Sequence, residues 1–184
     1  MSYSLVPYAI DLEQLRAAVG SRNASLKKEV YTACAERIEE DADDLEDDDE
    51  ALTLKAAIGE LIDGQFSDED SAHQYGYALE ALCQSLGQSL DVDLWCGVRW
   101  AAMEVTGLDE SIMAAGPPVD LPDLSGDFPT IGHLDANAVA AAVDKLDAAP
   151  SKHDDPDAQE LFAEYETWLR TAHKAGKAIV FFYY

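Results

Sequence analysis

Two short apolar runs bracket the chain. Residues 3–10 (YSLVPYAI) are apolar on both alternating faces, and residues 178–184 (AIVFFYY) form a continuous apolar run rich in β-formers. Each is too short for a core helix and predicts a strand covered on both sides. Pro7 cannot donate to a ladder, which predicts an edge position or a bulge for the first strand. Between the runs the apolar spacing becomes helical. Asp11 is placed as an N-cap with Gln14 three residues on, Leu12, Leu15 and Val19 follow, and Gly20 stops the helix. Leu26, Val30, Cys34 and Ile38 recur every fourth residue and predict one helix over residues 24–40.

A third helix carries Leu52, Ile58, Leu61 and Ile62 and stops at Gly64. Ser67, Asp68, Glu69 and Asp70 offer caps and negative charge to a fourth, which runs through His73, Tyr75, Tyr77, Leu79, Leu82 and Leu86 to Gly87. A fifth is expected from Asp91, presenting Trp95, Val98, Ala102 and Val105, with a helical turn over residues 109–114. Residues 116–129 hold four prolines and two glycines and predict the longest loop. Residues 130–134 fit either a short strand or an extended lead-in. Asp135 caps an Ala-rich helix, and Asp155 followed by Pro156 opens the last one, whose stripe is Leu161, Tyr165, Trp168, Leu169 and Ala172, ended by Gly176. The pattern predicts a helix-rich, single α+β domain over residues 1–184, with a small sheet that contains both terminal strands.

Length and composition agree with one self-sufficient core. A chain of 184 residues with 48% apolar content can bury roughly 70% of its unfolded surface and needs no disulfide or metal to fold. Charge changes the picture more. Asp plus Glu number 37 against 12 Lys plus Arg, a net charge of −25. Such a field repels phosphate backbones and anionic lipid, so direct nucleic-acid and membrane binding are not expected, while a basic protein is attracted. The same excess also serves plain solubility, or adaptation to a salty cytoplasm, and both uses stay open here. Cys34, Cys83 and Cys96 are far apart and form no CxxC pair. With no basic-flanked signal segment at the start, reduced thiols and a cytoplasmic setting are the expectation.

The segments MSYSLVPYAIDLEQLRAAVGS, HQYGYALEALC and WLRTAHKAGKAIVFFYY resemble a bacterial family of unknown function. More distantly, the strand–helix opening and the helix–Gly–strand ending resemble the uncharacterised YfbM-like proteins. The resemblance implies an α+β domain and brings no catalytic motif with it.

Candidate chemistry is sparse. Residues 39–50 (EEDADDLEDDDE) hold ten acids in twelve positions. They lack the alternation and central glycine of an EF-hand. Asp41, Asp43, Asp44, Glu46, Asp47, Asp48, Asp49 and Glu50 therefore read either as an acidic interaction run that meets a basic groove or as a solvated helix end. His73, His133, His153 and His173 show no metal-ligand spacing, so no metal and no cofactor is expected. His73 and Tyr77 share a helix face, and Tyr75 and Tyr77 flank Gly76; this segment is the candidate for a polar pocket, set against plain packing through tyrosines. Arg99, the one Lys or Arg between Ala56 and Asp144, is a candidate anion contact or a structural ion-pair member. Cys34 and Cys83 sit on apolar stripes, as core residues do. Neither GxSxG, GxGxxG nor GxxxxGK[ST] occurs. The leading functional expectation is a non-enzymatic acidic module for a basic protein, such as an immunity or inhibitory factor. Its alternative is a small-ligand binder or enzyme with a pocket near residues 73–77.

Overall fold

The computed structural model describes residues 4–44, 52–68, 71–90, 112–122, 129–148 and 154–184. In chain order the elements are β1 (Leu5–Ile10), α1 (Leu12–Ala18), α2 (Ala24–Ala33), α3 (Ala35–Asp44), α4 (Leu54–Asp63), α5 (Ala72–Leu86), β2 (Gln88–Ser89), β3 (Thr130–Leu134), α6 (Ala136–Ala148), α7 (Pro156–Ala175) and β4 (Ala178–Tyr183). The fold is α+β, helix-rich, with one antiparallel four-stranded sheet in the order β2-β1-β4-β3 that contains both terminal strands. The expected helix at residues 91–107 lies outside the described residues. Contacts gather the chain into two compact units. One comprises Met1–Leu12, Gln88–Pro118 and Thr130–Tyr184, the other Glu13–Gly87 and Val119–Pro129.

The first unit holds the sheet. β1 and β4 pair from Leu5↔Tyr183 to Ile10↔Ala178, and reciprocal bonds between Ser4 and Tyr184 extend the ladder by a residue. Residues 130–134 are a strand, paired to the other side of β4. Pro7 is not at an edge, because β1 lies between β2 and β4. Register explains why the sheet tolerates it. The Ser4–Tyr184 bonds put even positions of β1 toward β4, so the backbone of Pro7 faces β2. There the Leu90 N–H donates to the Pro7 carbonyl at 3.0 Å, Pro7 cannot return the bond, and β2 ends at Ser89.

Odd positions of β4 face the two helices. Ile179, Phe181 and Tyr183 join Leu5 and Ala9 of β1, Val139, Val143 and Leu146 of α6, and Leu161, Tyr165, Trp168, Leu169 and Ala172 of α7 in one cluster. Phe181 lies with its ring centroid 6.4 Å from Trp168 and 6.5 Å from Tyr165. Tyr8, Ile10, Val180 and Phe182 on the opposite face are buried as well, which is why both runs are apolar throughout. The helix signals act as expected. Asp135 accepts from the Ala138 N–H, Asp155 accepts from the Ala158 N–H ahead of Pro156, and Gly176 closes α7 in the left-handed conformation. On β3, a Cβ at Gly132 would lie 2.1 Å from the carbonyl oxygen of Ile112. Only glycine lets that helical turn rest on the strand.

The second unit is built from helices. The single helix expected over residues 24–40 is two, α2 and α3, with Cys34 as the break (φ −112°, ψ 22°). The apolar stripe ends there: Leu26, Val30 and Cys34 are buried, Ile38 is half-buried, and the half-buried partners of Ile38 on α3 are Arg37 and Asp41. α4 and α5 carry the apolar load through Leu54, Ile58, Leu61 and Ile62 and through Tyr75, Leu79 and Leu82. Gly20 and Gly64 both take positive φ, and a Cβ on Gly64 would come within 2.9 Å of the Gly20 Cα. Two helix stops therefore touch backbone to backbone, tied by Gly20 N–H to Leu61 O and Arg22 N–H to Ile62 O.

Candidate functional site

Polar residues of α5 recur at helical spacing, Gln74, Tyr77, Glu80 and Gln84, and α3 meets that row running the other way. At one end the Cys34 thiol donates to Gln84 Oε1 at 3.5 Å. In the middle Arg37 Nη2 sits 2.6 Å from Glu80 Oε2, and its guanidinium lies 5.6 Å from the centre of the Tyr77 ring. At the other end Asp41 accepts from Gln74 Nε2 at 3.1 Å and from the Leu54 N–H at 2.7 Å. Glu80 is buried to 6% side-chain exposure, and a carboxylate so deep is tolerable only because a cation meets it. Among the described residues Gln74 Oε1, which is buried, has no hydrogen-bond partner.

The candidates from the HQYGY segment part company here. His73 and Tyr77 do share a face, their rings edge to face at 6.0 Å. Tyr75 turns the other way and is fully buried. Its hydroxyl donates to Glu60 Oε2 at 2.5 Å and accepts from the Ser67 N–H at 3.0 Å, while Glu60 also accepts from the Ser67 N–H and hydroxyl. Burial alone would raise the Glu60 carboxyl, but the bonds from Ser67 and Tyr75 together hold it below the usual carboxylate range. Burial, then the neighbouring Glu60, pushes the Tyr75 hydroxyl up. This triad pins the loop before α5. The N-cap position is Ser71, one residue after the expected capping stretch, and its side chain makes no capping bond, because its hydroxyl and N–H both donate to Asp68.

The acidic run is partly structural. Asp41 faces inward, where it accepts from the N–H of Leu54, the first residue of α4, whose N-cap is Thr53. Glu36, Glu39, Glu40 and Asp43 are exposed on the outer side of α3, Asp44 ends that helix, and Glu46, Asp47, Asp48, Asp49 and Glu50 lie outside the described residues, as do Cys96, Arg99 and His153. Cys34 and Cys83 are buried and unbridged, and burial pushes both thiols up, Cys83 well above its ordinary value. His133 sits 2.8 Å from the Gly116 carbonyl oxygen, which can only accept, so Nδ1 carries the proton. Among the described residues no group of three His, Cys, Asp or Glu side chains could hold a metal ion, and no helix is long and apolar enough to cross a membrane.

One cleft of about 370 Å³ opens between α1, α2 and the end of α5, with Ala17, Leu26 and Leu86 as its apolar lining and Gln14, Ser25 and Glu29 among its polar groups. Residues 73–77 do not line it. Sequence reasoning passed over Arg37, Glu60 and Glu80. For Glu80 a signal existed: a lone acid within the apolar stretch YALEALC.

Compared with known proteins, the chain matches along residues 1–184 a family model described as a domain of unknown function, DUF7691. No curated protein and no solved structure matches it.

Proposed function

The chain belongs to the DUF7691 family of domains of unknown function, and we propose that it serves as a non-enzymatic acidic module that engages a basic protein, in the manner of an immunity or inhibitory factor. A bacterial, cytoplasmic setting, the distant likeness to the YfbM-like proteins and a single folding domain belong to the same proposal. One observation carries it. The start of the acidic run is a helix, α3, whose outer side displays Glu36, Glu39, Glu40 and Asp43 at i, i+3, i+4 and i+7. Carboxylates held at that spacing present a fixed stripe, and a net charge of −25 steers cationic surfaces toward it.

The test is affinity capture from cell extract at low salt, with the combined variant Glu36→Gln, Glu39→Gln, Glu40→Gln, Asp43→Asn as control. A partner with a basic surface should be retained by the wild type, be released steeply by salt, and be lost with the variant. Retention undiminished in the variant, or no partner at all, sinks the reading. A small-ligand site is the second reading. The cleft at Leu86 favours it, on the same helix as residues 73–77 but at its far end. It predicts a ligand-induced rise in melting temperature that Ala17→Phe abolishes.

A further inference from the structure

α3 differs from its neighbours in how it is held. α4 buries six residues and α5 ten, whereas the residues α3 turns inward, Arg37, Ile38 and Asp41, are all only half-buried. What fastens it is polar: the Arg37–Glu80 pair, the two bonds accepted by Asp41, and the cation over Tyr77. The fit is incomplete, since Gln74, whose Nε2 donates to Asp41, has its buried carbonyl oxygen without a donor among the described residues. At its start the chain leaves helical geometry for a single residue, Cys34, where the last turn of α2 closes on Val30.

Such an arrangement separates cheaply. Undocking α3 exposes little apolar surface, and water takes over the partners of Arg37, Glu80 and Asp41, so the desolvation that opposed the pair is recovered. Undocking α4 or α5 would expose the whole apolar core of the unit. We propose that α3 is a latched helix: it swings at Cys34 and releases from α5 as one unit while α2, α4 and α5 stay folded, with Arg37–Glu80 as the latch. The inference stands whether or not a basic partner exists. Where one does, the acidic stripe is on the moving part, and docking of α3 sets whether Glu80 and Asp41 are engaged internally or offered outward.

Amide hydrogen exchange on the isolated full-length protein tests this without any partner, so its failure is distinct from failure of the binding reading. In the wild type, amides of residues 38–44 should share one exchange level, at least about tenfold faster than amides of the buried turns of α4 and α5. Glu80→Gln should speed residues 38–44 uniformly by about tenfold while shifting α4 and α5 by less than about threefold. Arg37→Gln approaches the same latch from the other helix and should do the same. Exchange of residues 38–44 at the level of α5 in the wild type overturns the proposal. So does equal acceleration of α3, α4 and α5 in both variants, because the pair would then support the whole unit rather than one helix.

Discussion

The sheet-bearing unit and the helical unit solve the same problem with different chemistry. Phe181 belongs to an apolar and aromatic cluster with Trp168, Tyr165, Ile179 and Leu169, packed between β4 and the two helices. In the helical unit an apolar layer on α4 and α5 is flanked by polar groups in defined pairs, buried Glu80 with half-buried Arg37 on one side and buried Tyr75 with half-buried Glu60 and exposed Ser67 on the other. Apolar burial is strong but non-directional and tolerates repacking. A buried carboxylate tolerates nothing but its own donors, so it fixes where a helix or loop must sit even when it adds little net stability. Both units are therefore held by apolar burial, and in the second, paired polar groups also fix where helices and loops sit.

The sharpest way to break that contrast is Phe181→Ala. It should cost about 3–5 kcal/mol in urea unfolding, as loss of a fully buried aromatic does; a loss below about 1 kcal/mol would mean that the sheet core is not the dominant store of stability. Next comes Arg37→Met, which, unlike the Gln variant, offers Glu80 no donor from position 37 while α3 is docked. Because release of α3 lets water reach the carboxylate, the cost should stay at about 1–3 kcal/mol, and the double variant Arg37→Met, Glu80→Leu should recover most of it. No recovery would show that the pair contributes net energy and that the placement account is wrong for it.

Gly132→Ala tests the first unit where packing is tightest. With Ile112 in the way, the strand and turn must part, at about 1–3 kcal/mol, read by thermal melting. The smallest effect concerns Glu60. Its folded carboxyl lies below the ordinary value of 4.5, so its contribution to stability is present above that pH and fades as pH falls through the folded value. Glu60→Gln should cost about 1–2 kcal/mol at neutral pH. The gap between variant and wild type should narrow on acidification below the ordinary carboxylate range; a gap independent of pH would remove the carboxylate from the account.

Much of this was legible from residue order because it depends on local rules. A short apolar run rich in β-formers favours a covered strand over a helix, Asp155–Pro156 and Gly176 carry helix start and stop signals, and the i, i+4 stripe of α7 names its buried face before any partner is known. Other features depend on what lies across the gap. Pro7 sits inside the sheet because register turns its missing donor toward a strand of two residues. The helix over residues 24–40 breaks at Cys34 where its apolar stripe ends. Tyr75 and Tyr77, two apart in sequence, serve different networks, since a helix turns about 200° over that step. The sequence by itself determined the class of fold, the faces that are buried and the charge the molecule carries. Which polar groups meet was decided only by the tertiary structure: a hydrogen bond or ion pair depends on distances of a few ångströms between residues that spacing alone leaves unrelated.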